Sequence, residues 1–347
     1  MRAGFMEKPG LAYFIDDAPE PQLPADADNW VKIRVKACGI CGSEVHAYHG
    51  VHPFRIAPLV SGHEFSGVVA EVGPAVTACK VGDRVTAEPQ YGCGTCYYCR
   101  TGRDNLCSTK KVLGASYWSG PLGEYVVVPE KTVVKLADNV SFEQGALIEP
   151  IANAMYAVRK TPRPITEDTT ICILGAGPIG LGDYLCIKPL HPKLVALVDI
   201  VDFNLEVGKR LGCEHVINNA TENLYERAME LTDGLGFDMV FLAFGDAPSV
   251  QQAAEITKRG GILQLHAAIP DGVGFPYTVA LLHEVCMQPY QMYQNEDFVA
   301  VADAIASGRM QVDGLITHRY PIEQFADAMK MAADRPEPAV KVMMHFD

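Results

Sequence analysis

"TTICILGAGPIGLGDYLCIK", residues Thr169–Lys188, decides how this chain folds. Its first six residues form an apolar, partly β-branched run that reads as a buried strand, and the stretch after Gly180 reads as a helix. Between them Gly175, Gly177 and Gly180, with Pro178 and Ile179 ahead of the last, fit G-x-G-x-x-G. Such a turn aims the free amides of a helix N-terminus at a pyrophosphate. Next comes "KLVALVDI", a second buried strand that ends on Asp199, about twenty residues past the last glycine. Together these make a βαβ unit. The Asp199 carboxylate suits the two ribose hydroxyls and would repel a 2′-phosphate, Asp202 adds charge of the same sign, and no Arg follows directly, so NAD is expected over NADP. The plainer reading, a glycine turn that only lets a helix pack on a strand, leaves Asp199 unexplained.

The same alternation continues downstream through "LEVGKRLGC", "HVIN", "NLYERAMELTDG", "DMVFLAF", "SVQQAAEITKRGG" and "ILQLHAA", predicting a doubly wound parallel sheet with helices on both faces. Upstream, "SFEQGALIEPIANAMYAVRK" has helical spacing, with Ser141 as N-cap three residues before Gln144, and "TPRPITED" reads as a connector. Before Ser141 the chain is β-rich: "WVKIRVKAC", "EFSGVVAEVG", "DRVTAEP" and "GEYVVVP" are short strands broken by Gly and Pro.

With 347 residues, 48% of them hydrophobic, the chain can bury two cores. A formal charge of −13 leaves no clustered Lys and Arg for phosphate backbones or anionic lipid. The opening "MRAGFMEKPGLAYFIDD" has no signal-type apolar core, and no later stretch reaches the roughly eighteen apolar residues of a membrane span. A cytoplasmic chain without nucleic-acid or membrane partners is expected. In that compartment eleven cysteines point to metal binding rather than disulfides. Cys172, Cys186, Cys213 and Cys286 read as small buried hydrophobes.

"CGTCYYCRTGRDNLC" carries Cys93, Cys96, Cys99 and Cys107 at a C-x2-C-x2-C-x7-C spacing. Four thiolates on one short loop can close a tetrahedron around zinc with no open position, which predicts a structural site; the spacing matches neither common ferredoxin pattern. "CGICGSEVHAYHG", residues Cys38–Gly50, and "SGHEFSGVVAEVG" supply a thiolate, His63 and Glu64, a mixed set with room for substrate, as a catalytic zinc requires. Cys38 is taken as the thiolate. Spacing does not separate it from Cys41, and a Cys38–Cys41 redox pair is the rival.

These motifs together, with "VGDRV", "EPIANA" and "LITHRYPIEQF", resemble the zinc-dependent medium-chain alcohol dehydrogenases, in the branch of sorbitol, threonine and butanediol dehydrogenases, over nearly the whole chain. The resemblance implies an α/β architecture: a GroES-like β-barrel catalytic domain at 1–150 with both zinc sites, a Rossmann NAD-binding domain at 151–296, and a return to the catalytic domain at 297–347. It implies Cys38 as the catalytic thiolate, with Glu149 of "EP" reaching the metal directly or through water, so that Glu64 and Glu149 compete for fourth ligand. It further implies hydride transfer between a secondary alcohol and NAD, with Ser43 passing the alcohol proton on and His46 relaying it to solvent. Tyr48, Phe54, Trp118 and Glu149 would line the pocket for an alcohol or ketone, and a homodimer or homotetramer is expected. Tyr156, Phe244-Gly245 and His266 depart from the branch, which usually has His, Thr-Gly and a small residue there. The alternatives are a zinc-free quinone or enone reductase on the same fold and a nonenzymatic zinc scaffold.

Overall fold

The computed structural model describes residues 1–347 apart from Asp26, Ala267, Ala268, Pro270 and Asp271, so the end of "ILQLHAA" lies outside the described residues. The chain forms two units, Met1–Glu149 with Gln294–Asp347, and Pro150–Tyr293.

In the first unit the eleven-residue strand Trp30–Ile40 organises a seven-stranded sheet. One of its edges pairs antiparallel with Glu64–Val72 along most of its length. Its other edge changes partner midway, from Tyr125–Pro129 opposite residues 30–34 to Lys341–His345 opposite residues 37–40. That last pairing stitches the C-terminal segment back into the N-terminal sheet, and Ile316–Pro321 adds outside it in parallel. Val31, Ile33, Val35 and Phe65 are fully buried and pack with Met344 and the helix Phe325–Asp334.

The second unit holds a six-stranded all-parallel sheet in the order His215–Asn218, Leu194–Asp199, Thr170–Leu174, Phe237–Leu242, Thr257–Leu265, Cys286–Pro289. Numbered along the chain, that order is 3-2-1-4-5-6, the doubly wound Rossmann arrangement. Its central strands are continuous apolar runs because helices cover both faces; Ile171, Cys172, Ile173, Phe241 and Leu263 have no exposure. Cys172, Cys186 and Cys213 are buried as expected, but Cys286 is exposed, on the strand that is last in the sheet among the described residues. The helix after the glycine turn, Pro178–Ile187, stops where Pro189 cannot donate an amide, and the chain leaves through the short 3-10 turn Lys188–Leu190.

The helix Phe142–Arg159 crosses from one unit into the other. Its start is a reciprocal capping box, in which Gln144 N donates to Ser141 Oγ (3.1 Å) and Ser141 N donates to Gln144 Oε1 (2.9 Å). Among the described residues no helix is long and apolar enough to cross a membrane.

Candidate metal and cofactor sites

The thiols of Cys93, Cys96, Cys99 and Cys107 all lie within 4.8 Å of one another. Gly94, at φ +77°, reverses the chain between the first two, and Cys96 caps the single-turn helix Tyr97–Arg100. A Cβ on Gly92 would collide with Cys99 Sγ, so that glycine makes room for the cluster. Backbone amides are aimed at the sulfurs: Cys96 N at Cys93 Sγ (3.4 Å), Cys99 N at Cys96 Sγ (3.5 Å) and Cys93 N at Cys107 Sγ (3.5 Å). Hydrogen bonds from Thr95 and the Cys96 amide lower the Cys93 thiol to about 5, whereas desolvation pushes Cys99 up to about 12. Four thiols this close cannot all ionise without a cation among them. Tetrahedral zinc with Zn–S near 2.3 Å needs sulfur–sulfur edges of about 3.8 Å, and Cys96–Cys99 and Cys93–Cys99 stand at 3.5 and 4.0 Å. The donor set therefore fits zinc and leaves no position for a reactant.

A second group of donors is Cys41, His63 and Glu64, again within 4.8 Å of one another. Here the structure corrects the sequence expectation, since Cys41 stands where Cys38 was expected. Cys38 belongs to the strand Trp30–Ile40, opposite Phe65 and Met344, and its unexposed side chain joins the sheet's apolar core. Burial, with the charges of Glu44 and Glu64, pushes its thiol well up. Cys41 is the first residue past that strand and the N-cap of the helix Gly42–Tyr48, which turns it toward His63. A signal for this was present in the sequence, since Cys38 already ended the apolar alternation of a strand while Cys41 opened the next segment.

Glu44, which sequence reasoning missed, fixes this group. Its carboxylate has no exposure; Oε1 accepts from Ser61 Oγ (2.8 Å) and Gly62 N (3.3 Å), and lies 3.2 Å from His63 Nδ1 and 3.6 Å from Arg55 Nη1. Oε2 accepts from the Cys41 amide at 3.2 Å. Burial alone would raise the Glu44 carboxyl, but His63 and Arg55 overcome it and hold the group well below the usual carboxylate range. Conversely, burial would lower His63, and Glu44 carries its proton affinity well up. With Nδ1 engaged, Nε2 is the ring nitrogen left for a metal, and the carboxylate behind it strengthens that donor. Glu64 lies against Lys341 Nζ at 2.7 and 2.8 Å, both side chains buried. A thiolate, an imidazole and a carboxylate suit zinc and leave its fourth position open.

The remaining expected residues are placed as follows. Ser43 is half-buried and donates to Glu44 Oε2 at 3.4 Å. His46, three residues further along the same helix, is exposed and is not brought into the donor group. Glu149 is buried in the middle of Phe142–Arg159 and is not among the clustered donors, although its charge helps hold the proton on Lys341. Of the aromatic residues expected to line a pocket, Trp118 donates to Val127 O (2.9 Å) and packs on Trp30 and Tyr91, and Tyr48 donates to Gly10 O (3.1 Å); both are committed to packing. Phe54 is exposed, edge-on to His52.

In the second unit Gly175 takes φ +100°, and a Cβ on Gly180 would overlap the Gly175 carbonyl oxygen. Gly177 caps the helix Pro178–Ile187 without any side-chain hydrogen bond, and a Cβ there would meet nothing within 4 Å. The first amides of that helix are therefore left without a side-chain cap, as a helix end that takes a pyrophosphate requires. Pro178 and Ile179 are half-buried in the first turn. Asp199 Oδ2 accepts from Ala176 N at 2.8 Å, tying the strand end to the glycine turn. These features fit a dinucleotide.

Comparison with known proteins agrees with this geometry. A family model for the alcohol dehydrogenase GroES-like domain matches residues 27–138, and one for zinc-binding dehydrogenases matches residues 187–307. The chain is 33% identical over 93% of its length to L-idonate 5-dehydrogenase of Vitis vinifera, covering 90% of that protein. It is 30% identical over 95% of its length to sorbitol dehydrogenase of Bacillus subtilis, covering 93% of it. The crystal structure of an Escherichia coli oxidoreductase of unknown specificity superposes with a TM-score of 0.92 at 30% identity, covering 100% of this chain and 99% of that one.

If the four-cysteine loop holds a zinc of its own, Cys96→Ser lowers the metal content by one zinc per chain and lowers the thermal midpoint, while the second zinc stays bound. Elemental analysis of the purified variant checks this, and an unchanged zinc content would refute it.

Proposed function

Because the chain belongs to the zinc-dependent medium-chain alcohol dehydrogenase family, we propose that it oxidises a secondary alcohol of a polyol or sugar-acid type with NAD, using Cys41, His63 and Glu64 as the donors around the reacting oxygen. The observation that carries this reading is the convergence of three unlike donors, a half-buried thiol with a buried imidazole and a buried carboxylate, with His63 oriented from behind by Glu44. When bound, zinc supplies a Lewis acid that lowers the pKa of the alcohol, and the nicotinamide supplies the hydride acceptor.

The protein's own residues do the rest. Glu44 keeps Nδ1 of His63 occupied, so that the ring cannot turn. Lys341 pairs with Glu64 and fixes its carboxylate beside Cys41 and His63, where it would help to hold the metal. Glu149, buried on the helix Phe142–Arg159, is the other carboxylate that would hold the metal, in place of Glu64. Ser43 receives the alcohol proton, and His46, one helical turn on and exposed, hands it to water. Asp199 accepts hydrogen bonds from the ribose hydroxyls and repels a 2′-phosphate.

We further place the protein in the cytoplasm as a homodimer or homotetramer. Eleven free thiols suit a reducing compartment. Tyr277, Leu281 and Leu282 on the helix Tyr277–Leu282 and Met287 on the last strand of the parallel sheet among the described residues are exposed apolar side chains that a second copy would cover.

Screening polyols, sugar acids and diols with NAD should find a substrate. On it Cys41→Ser should lose about a hundredfold or more in turnover together with one zinc, while Cys38→Ser keeps both; the opposite pattern would return the ligand role to Cys38. Asp199→Ala should weaken NAD about tenfold and narrow its advantage over NADP, as read from the two KM values. Light scattering at micromolar concentration should give a dimer or tetramer mass, and a monomer would remove the assembly.

A further inference from the structure

The second unit buries a carboxylate–imidazole pair that nothing above uses. Asp183, on the helix Pro178–Ile187, has no exposure, and its two carboxylate oxygens lie 3.0 and 3.1 Å from His266 Nδ1. The His266 side chain is 5% exposed, and its other nitrogen, Nε2, is shielded from water with no hydrogen-bond partner among the described residues. Tyr290 backs the imidazole, its ring centre 4.8 Å away, and Tyr156 packs edge-on against Tyr290. Burial raises the Asp183 carboxyl and His266 pulls against it. An apolar pair of similar volume would fill this space at lower cost, so an orphaned nitrogen on a held imidazole calls for a ligand.

The position of the pair says which ligand. In an open parallel sheet the ligand crosses the carboxyl ends of the strands where the strand order reverses, here between Thr170–Leu174 and Phe237–Leu242. Asp199 and the glycine turn take the adenosine and pyrophosphate on one side of that point. The nicotinamide end must then run over the ends of Phe237–Leu242 and Thr257–Leu265. His266 is the first residue past the second of these, its amide donating to Leu242 O at 3.1 Å. Asp183 lies one helical turn beyond Ile179 of the glycine turn, about 6 Å along the axis.

We propose that His266, held by Asp183, is the positioning residue for the nicotinamide end of the cofactor, its Nε2 hydrogen-bonding the carboxamide. The carboxamide offers both a donor and an acceptor, so it satisfies Nε2 in either protonation state. This inference rests on the dinucleotide reading of the glycine turn, and ADP-ribose, which shares everything with NADH except the nicotinamide, separates the two.

Binding of NADH and of ADP-ribose is measured calorimetrically on the zinc-loaded protein. In His266→Ala the NADH Kd should rise about five- to tenfold with ADP-ribose unchanged, and Asp183→Asn should move the ratio in the same direction. Should His266→Ala not fold, His266→Leu, which keeps the bulk and removes the nitrogens, carries the same comparison. Equal weakening of both ligands, or of neither, overturns the proposal and leaves the pair a packing feature. Wild-type protein that binds neither ligand would instead overturn the dinucleotide reading itself, and the proposal with it.

Discussion

Glu44 is a carboxylate with no contact with water, and its two oxygens collect two serine hydroxyls, two backbone amides, an arginine and a histidine. A buried charge persists only when paired and hydrogen-bonded on all sides. Satisfying this one draws the helix Gly42–Tyr48, the loop through Ser61 and Gly62, and Arg55 into a single arrangement. The amide it holds is that of Cys41 and the ring it holds is that of His63, so the requirement to neutralise one acid is also what brings a thiol and an imidazole together. Each partner left unmatched would cost more than an ordinary surface contact is worth.

The same principle recurs around the first unit. Glu64 is paired with Lys341, which arrives from the far end of the sequence on the strand that completes the sheet. Gly39 lies under that pair, and a side chain on it would overlap the Glu64 carboxylate. The four-cysteine loop carries its charge differently: amides and a hydroxyl approach individual sulfurs, yet the thiols crowd one another too closely to ionise unaided. One group is thus arranged around protein counter-charges and keeps a position open. The other depends on the metal itself.

The Rossmann half was legible at the level of single elements, because its signals are local. An apolar run followed by Gly175, Gly177 and Gly180 needs no distant partner to be read, and the tightest of its contacts, Gly180 against the Gly175 carbonyl, lies within the turn itself. The Ser141–Gln144 capping box is equally local, a reciprocal pair three residues apart. The first unit was harder to read, since Trp30–Ile40 takes one of its partners from the C-terminal segment about three hundred residues away, and no pattern near residue 37 announces His345.

What the sequence by itself determined is the set of chemistries present: a dinucleotide turn, a four-thiol loop, and an imidazole and carboxylate beside a cysteine pair. These are matters of residue type and short spacing, which the local backbone obeys. Only the tertiary structure decided which cysteine faces His63, because Cys38 is still paired, with Phe65 and Met344, whereas Cys41 lies past the strand's last pairs, Gly39 with Glu64 and Ile40 with Val342. It also decided that Glu44 orients His63, and that Asp183 and His266, eighty-three residues apart, share a buried hydrogen bond. Contacts of that kind are fixed by which groups must satisfy one another once water is gone, and the order of residues along the chain does not state it.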